Sequence, residues 1–179
     1  MNNYILKYNQ INESNEFDNL SFEETGRLIE LGIIDHPDLI KIYDYVKNGS
    51  IGDLDLHNSK LEYLPNWLAI VNGDLNIEHS DILDIPESLI IKGSIYARYS
   101  KLKEFRRTVV YGHLDIDYSQ ITKLPDNLRV DGYLSVEGVQ FEEIPKNLEI
   151  SRGFHIDGSN LEQLSDEELR KMYKKWNNL

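Results

Sequence analysis

The chain has 179 residues, and its 19 lysines and arginines against 31 aspartates and glutamates leave a formal net charge of −12. This length suits one folded domain with a sizeable core, and the negative charge disfavours direct binding to nucleic acid or to a membrane surface, so the expected partner is a basic protein. The chain has no cysteine, which excludes disulfide frameworks, thiolate zinc sites and cysteine nucleophiles.

Residues 1–20 are polar except for a small apolar cluster around Tyr4, Ile5 and Leu6, which indicates a tail or a short docking element. No apolar run approaches the ~18 residues of a membrane span, and the N-terminus lacks the pattern of a secretory signal. We therefore predict a soluble, cytoplasmic protein. The opening residues, Met-Asn-Asn-Tyr-Ile-Leu-Lys-Tyr, are similar to leaders of small proteins of large tailed bacteriophages. This resemblance implies a phage protein in the host cytoplasm.

Residues 21–50 carry the signals of a helical cap with two helices. Ser21 and Glu24 have the spacing of a capping box, and Gly32 ends the helix that follows them. Pro37 begins a second helix, whose apolar stripe ends at Gly49.

Residues 51–164 contain a pattern that recurs every 19 to 21 residues, and self-similarity at this period is typical of a solenoid. The repeats align on six anchors: Ser59, Ser80, Ser100, Ser119, Val139 and Ser159. The positions five and three before each anchor, and two and five after it, are apolar in all six repeats, although only 40% of the chain is apolar. We predict that the two positions before the anchor form a short strand with its apolar side chains inward.

A fifth apolar column lies nine positions after the first five anchors, usually behind a proline, and predicts an extended return path. Its members are Leu68, Leu89, Val109, Leu128 and Leu148. The glycines at 52, 73, 93, 112 and 132 precede the predicted strands, where we expect them to ease a tight corner.

Residues 134–145 read Leu-Ser-Val-Glu-Gly-Val-Gln-Phe-Glu-Glu-Ile-Pro and resemble the short bacterial form of the leucine-rich repeat, L-x-L-x-x-N-x-L-x-x-L-P. The resemblance implies a right-handed solenoid coil with a parallel β-sheet of about six short strands and α-helical caps at both ends. The family's asparagine is replaced by serine in five repeats and by Val139 in one. The turns are therefore either leucine-rich repeats of lower regularity or a plainer β-solenoid.

Residues 165–179 predict a C-terminal capping helix, because Ser165 and Glu168 repeat the capping-box spacing and Leu169, Met172, Tyr173 and Trp176 form an apolar face. Caps are expected because a solenoid leaves apolar faces and strand edges open at its ends. The segments 1–20, 21–50, 51–164 and 165–179 together predict one folded unit.

The outward side of the predicted strands is the candidate binding surface. Eight of its 18 positions are acidic and one is arginine, more than twice the acidic fraction of the whole chain. A solenoid holds such side chains in a rigid array, which lowers the entropy cost of binding. The predicted partner-binding residues are Asp53, Asp55, His57, Asp74, Glu78, Tyr96, Arg98, Asp115, Asp117, Tyr133, Glu137, His155 and Asp157. The alternative is that these positions are polar only for solubility and against aggregation of the sheet.

The third repeat differs from the others because it is basic and lacks the proline. Its cationic residues are Arg98, Lys101, Lys103, Arg106 and Arg107. They indicate either a second contact site for an acidic partner or a patch that compensates charge within the solenoid.

The usual catalytic motifs are missing, including the Walker loop, G-x-S-x-G, H-E-x-x-H and G-x-G-x-x-G. Aspartate and histidine alternate at 53–57 and 113–117, but along one strand they lie ~6 to 7 Å apart, too far for one metal ion to take all three. Asp115 and Asp117 resemble a hydrolytic carboxylate pair, yet an open sheet offers no enclosed pocket to shift their pKa values. We therefore expect no metal, no cofactor and no catalysis.

These observations favour a non-enzymatic protein-interaction module that binds a basic partner, a host protein if the chain is phage-encoded, through the acidic face. Two alternatives stay open: an acidic mimic of nucleic acid that inhibits a DNA- or RNA-binding protein, and a structural component of a larger assembly. The oligomeric state is left undetermined.

Overall fold

The computed structural model describes residues 20–172, which contain three α-helices, one 3₁₀ helix and eleven short strands. The helices are α1 Phe22–Glu30, α2 Pro37–Lys47 and α3 Asp166–Met172, and the 3₁₀ helix is Asn160–Gln163. The strands are β1 Leu54–Asp55, β2 Ile70–Val71, β3 Leu75–Asn76, β4 Ile90–Ile91, β5 Ile95–Tyr96, β6 Val109–Val110, β7 Leu114–Asp115, β8 Arg129–Val130, β9 Tyr133–Ser135, β10 Glu149–Ile150 and β11 Gly153–His155.

Six of the strands form one parallel sheet in the order β1-β3-β5-β7-β9-β11, here called the front sheet. Its register aligns the apolar residues five positions before the anchors: Leu54, Leu75, Ile95, Leu114, Leu134 and Phe154. Neighbours in the sheet are thus neighbouring repeats in the sequence. The predicted repeat solenoid is confirmed, with about five turns and helices near both ends.

The core is a single apolar cluster that runs along the inside of the coil. Along the front strands and the residue that follows each of them, alternate side chains point inward, so Leu75 of β3 and Ile77 directly after it are both fully buried. The columns after the anchors complete the cluster, with Ile82 and Ile85 buried in the same turn. At the last turn Phe154 and Ile156 are only partly buried.

The return path forms two further parallel ladders, β2-β4 and β6-β8-β10, with no pairing between β4 and β6. The break falls in the third repeat, whose anchors Ser100 and Ser119 are 19 residues apart. Because this turn is one residue short, the prediction that Val109 shares the column of Leu128 is wrong. Val109 pairs instead with Arg129 and is half-buried, whereas Leu128 is fully buried.

Each anchor follows a residue with a left-handed backbone. These residues are Asn58, His79, Tyr99, Tyr118, Gly138 and Gly158, with φ between 52° and 71°. The anchor serine then closes the turn within its own repeat: the Ser100 hydroxyl donates to the Ala97 carbonyl at 2.7 Å and accepts from the Leu102 amide at 3.4 Å. Adjacent repeats are joined by backbone, as where the Lys101 amide donates to the Ser80 carbonyl at 2.9 Å. The Ser100 hydroxyl thus serves only local groups, whereas the buried hydroxyls of Ser80 and Ser119 have no hydrogen-bond partner among the described residues.

The N-terminal helices pack on the first turn. The predicted capping box is confirmed, since the Glu24 amide donates to Ser21 Oγ at 3.2 Å and the Ser21 amide donates to Glu24 Oε2 at 2.9 Å. Phe22 lies against Trp67 of the first turn with ring centres 5.4 Å apart. The Ser59 hydroxyl also donates to the carboxylate of a helix residue, Asp38, at 2.8 Å.

At the other end, α3 begins with the predicted capping box, in which the Ser165 amide donates to Glu168 Oε2 at 2.9 Å. The predicted tail over 1–20 lies outside the described residues except for its last residue, and so do Tyr173 and Trp176 of the predicted apolar face. None of the helices within 20–172 has the length and apolar character needed to cross a bilayer.

Candidate functional site

The outward side of the front sheet, here called the front face, carries three rows of side chains, and all the predicted partner-binding residues lie on it. The first row is Asp53, Asp74, Ser94, His113, Tyr133 and Gly153; the middle row is Asp55, Asn76, Tyr96, Asp115, Ser135 and His155; the last row is His57, Glu78, Arg98, Asp117, Glu137 and Asp157.

Side chains of the first row bind the backbone of the next turn. Asp53 Oδ1 accepts from the Asp74 amide at 2.7 Å, and Asp74 Oδ1 accepts from the Ser94 amide at 2.5 Å. The ladder continues through Ser94 Oγ to the His113 amide at 3.0 Å, and through His113 Nδ1 to the Tyr133 amide at 2.9 Å. These bonds give Asp53 and Asp74 a structural task that the sequence did not predict.

The same ladder explains the glycines before the strands. A Cβ on Gly73 would lie 2.6 Å from the carbonyl carbon of Gly52, and one on Gly93 would lie 2.6 Å from the carbonyl oxygen of Gly73, with the carboxylates of Asp53 and Asp74 also in the way. Neither Gly73 nor Gly93 has a positive φ. At 73, 93, 112 and 132 glycine is therefore required for close approach between turns, whereas Gly52, with a φ of 78° and open space around it, fits the tight corner that the sequence suggested.

At the centre of the front face, Asp115 and Asp117 are held by the backbone through one carboxylate oxygen each. Asp115 Oδ1 accepts from the Asp117 amide at 3.2 Å, and Asp117 Oδ1 accepts from the Glu137 amide at 2.7 Å. The side chain of Asp117 is only 3% exposed, which differs from its expected exposure on the face. The two Oδ2 atoms both face the guanidinium of Arg98, at 3.9 Å from Asp115 and 3.6 Å from Asp117.

Burial raises the pKa of the Asp115 carboxyl to about 6. The amide of Asp117 and the charge of Arg98 act in the opposite direction, while the negative charges of Asp117 and Glu78 reinforce the rise. The expectation that an open sheet could not shift this pKa is therefore wrong, because side chains of the neighbouring strands cover Asp115.

These carboxylates lie in a shallow depression of about 340 Å³ on the front face. Tyr96, Tyr133, His113 and His155 line it together with Arg98. The rings of His113 and Tyr133 are stacked with centroids 5.3 Å apart, and Tyr133 is 6.2 Å from His155. The depression thus combines carboxylates, aromatic rings and one cation.

The remaining acids of the front face differ in their partners. Asp55 contacts His57 Nδ1 at 2.9 Å and Lys41 of α2 at 3.9 Å. Burial opposes the change, but the hydrogen bonds from His57 and the charge of Lys41 lower the pKa of Asp55. Among the residues that the structure describes, none makes a hydrogen bond or ion pair with the carboxylates of Glu78, Glu137 and Asp157.

An aromatic stack lies beside the last row, at the left-handed position before the anchors. His79 and Tyr99 stack with ring centroids 5.1 Å apart, and Tyr99 and Tyr118 stack at 4.9 Å. We call these three residues the edge stack. The edge stack was not predicted from the sequence, although all three of its residues directly precede an anchor serine.

The basic residues of the third repeat bind groups within the chain. Lys101 pairs with Asp81 at 3.0 Å and Arg106 with Asp84 at 3.1 Å. Arg107 Nη1 donates to the carbonyl of Leu89. These contacts agree with a patch that compensates charge within the solenoid.

Among residues 20–172, no three histidine, aspartate or glutamate side chains are grouped so that they could hold a metal ion. Comparison of the chain with protein-family models, with curated proteins and with solved structures finds no match. The function is therefore inferred from the front face.

Proposed function

We propose that the chain is a non-enzymatic protein-interaction module whose front face binds a basic segment of a partner protein. The observation that carries this proposal is the charge of one continuous face: eight carboxylates and one arginine on six adjacent strands. Solubility alone would not favour one sign of charge. A surface of this kind attracts a cationic partner over a distance and disfavours an anionic one.

Rigidity supports the same proposal. The ladder from Asp53 to Tyr133 fixes the first row to the backbone, and the amides of Asp117 and Glu137 fix the central carboxylates. Groups that are already ordered lose little conformational freedom when a partner binds, so more of the interaction energy appears as affinity. The face is preorganised for an extended ligand.

Three carboxylates are available for direct contact. Those of Glu78, Glu137 and Asp157 form no hydrogen bond or ion pair with another described residue, and all three belong to the last row. They lie on the side of the face that borders the edge stack, so aromatic and acidic groups are presented together. Tyrosine is enriched among residues that dominate binding energy at interfaces.

We also propose that the solenoid is of the leucine-rich-repeat type, on the strength of the sequence pattern, and that a phage-encoded chain of this kind would act on a host protein. The parallel front sheet and the inward leucine columns are compatible with that type. The partner remains defined by its chemistry, which is an exposed segment rich in lysine or arginine.

The test uses a capped peptide of alternating arginine and glycine, its glutamine analogue, and titration calorimetry with the full chain. The front variant combines Glu78→Gln, Glu137→Gln and Asp157→Asn; the control variant combines Glu30→Gln, Glu142→Gln and Glu162→Gln, all exposed away from the front face. Both remove three negative charges. We expect the front variant to weaken binding about tenfold and the control to weaken it less than about twofold.

Equal weakening by the two variants would contradict the proposal and favour the alternative of a nucleic-acid mimic, which uses charge over its whole surface. No binding by the unmodified chain would also contradict it. The glutamine analogue reports any affinity that does not depend on positive charge.

A further inference from the structure

The depression at the centre of the front face already holds a guanidinium group. Both Oδ1 atoms of Asp115 and Asp117 are occupied by backbone amides, which leaves both Oδ2 atoms directed at Arg98. Two carboxylate oxygens that converge on one cation match the fork of a guanidinium.

The fit of Arg98 in this position is loose. Its nitrogens are 3.9 and 3.6 Å from the two oxygens, which is beyond hydrogen-bonding distance. The side chain of Arg98 is also 39% exposed. Its guanidinium carbon lies 6.0 Å from the ring centre of Tyr99, at the outer limit of a cation–π contact.

The charge around the depression remains negative after the positive charge of Arg98 is included, so the depression still favours a cation. Glu78 and Glu137 add to the negative charge of the two aspartates, against the single arginine. Tyr96 lies beside Asp115 in the strand register, and Tyr133 lines the same depression. Aromatic rings near a carboxylate pair attract cations through their negative faces.

We infer that this depression receives one arginine or lysine side chain of the basic partner, and that Arg98 is a resident cation which the incoming side chain displaces. The inference rests on the proposed function and specifies it: it names the pocket, the group of the partner that enters it and the residue that competes for it. Arg98 competes with the incoming side chain for the two carboxylates, which lowers the affinity of the chain for its partner. It also excludes side chains that bind the carboxylate pair too weakly to displace it.

The experiment is a nuclear magnetic resonance titration of the full chain with the capped peptide Gly-Arg-Gly, with Gly-Lys-Gly as a second cation and Gly-Gln-Gly as the neutral control. The signals followed are the carboxyl carbons of Asp115 and Asp117 and the ring protons of Tyr96 and Tyr133. We expect saturable shifts at these four residues with the cationic peptides and none with the glutamine peptide. Asp115→Asn should abolish them.

The decisive comparison is between Arg98→Gln and Lys101→Gln, which remove the same charge from the same turn. Lys101 pairs with Asp81 and lies outside the depression. We expect Arg98→Gln to tighten binding of Gly-Arg-Gly about fivefold or more, and Lys101→Gln to change it less than about twofold. Arg98→Lys, with a single donor group, should give an intermediate affinity.

Equal tightening by both variants would overturn the inference, because only net charge would then matter. Weaker binding by Arg98→Gln would overturn it as well, because Arg98 would then assist the ligand. Saturable shifts confined to Glu137, Asp157 or other parts of the front face would show that the ligand does not enter this depression. They would overturn the inference but remain consistent with the proposed function. If the longer arginine peptide also fails to bind, the proposed function itself fails. If Arg98→Gln does not fold, the chemical shifts of the unmodified chain, titrated with the three peptides, test the inference.

Discussion

The rings of Tyr99 and Tyr118 lie nearly parallel, with planes 4° apart and centroids separated by 4.9 Å. Both residues have a left-handed backbone, with φ of 52° and 53°. Equivalent positions in other turns hold Asn58, Gly138 and Gly158, which are residue types that tolerate this conformation. The two tyrosines therefore carry a backbone cost that their stacking offsets.

Replacing Tyr118 separates these two contributions. We expect Tyr118→Ala to be more destabilising than Tyr118→Gly by about 1 kcal/mol, because alanine loses the stack and keeps the left-handed cost, whereas glycine relieves it. Urea denaturation measures both. A double-mutant cycle that combines Tyr118→Gly with Tyr99→Gly should give a coupling free energy of about 0.5–1.5 kcal/mol between the two rings. Equal losses for alanine and glycine would contradict this account of the turn.

The approach of Gly93 to the preceding turn gives a second prediction. We expect Gly93→Ala to lower the free energy of unfolding by about 2–3 kcal/mol, since the new methyl group would meet the carbonyl oxygen of Gly73. Adding Asp74→Ala should not rescue the variant, because the backbone contact remains. Gly32→Ala is the control: it has free space at a φ of 65°, so only about 1 kcal/mol is expected. Rescue by Asp74→Ala would show that the carboxylate alone excludes the methyl group.

The sequence predicted the coil, the front sheet and the capping boxes because each depends on short, regular spacing. Leu75 of β3 and Ile77 directly after the strand are buried two residues apart, and Ser21 and Glu24 bond across a single helical turn. The periodicity of apolar residues in the sequence directly predicts which residues within one turn are buried. The failure at Val109 has the same origin, because one missing residue shifts the spacing that the prediction used.

The central site depends on contacts between residues about 20 positions apart, which no spacing within one repeat shows. Asp117 is buried because Arg98 and Glu137 of the flanking turns cover it. Asp53 bonds the Asp74 amide across the same kind of gap. The sequence therefore identified the acidic face but could not separate its structural carboxylates from those available to a partner.

The adjacent arginines of the third repeat should differ in their effect on stability. Arg107 donates to the carbonyls of Leu89 and Pro86, and burial lowers its pKa. We expect Arg107→Ala to cost about 1–3 kcal/mol by leaving the Leu89 carbonyl without a donor, whereas the Pro86 carbonyl keeps its bond from the Leu89 amide. Arg106 pairs with acids at the surface, so Arg106→Ala should cost less than about 1 kcal/mol. Urea denaturation compares the two, and an equal or larger loss for Arg106→Ala would refute the assignment.

The raised pKa of Asp115, about 6 against an ordinary value of 3.8, makes stability depend on pH. Between these two values the folded chain keeps a proton that the unfolded chain has lost, so the free energy of unfolding falls as the pH rises. We expect Asp115→Asn to be more stable than the unmodified chain by ~2–3 kcal/mol at about pH 8, since the ionised form is no longer forced into a buried position. The advantage should shrink as the pH falls through 6 and vanish below about 3.8.

Urea denaturation of the two proteins from about pH 3.5 to 8 tests this dependence. Arg98, Asp117 and Glu78 act on Asp115, and His113, His155 and Glu137 line the same depression; all are common to both proteins, so the difference between them isolates Asp115. Glu142→Gln, which removes an exposed carboxylate elsewhere, should show no comparable change with pH. A difference that is constant over the range would mean that the Asp115 carboxyl titrates like an exposed one. The carboxylate pair facing Arg98 would then be solvated and have no unmet demand for a cation.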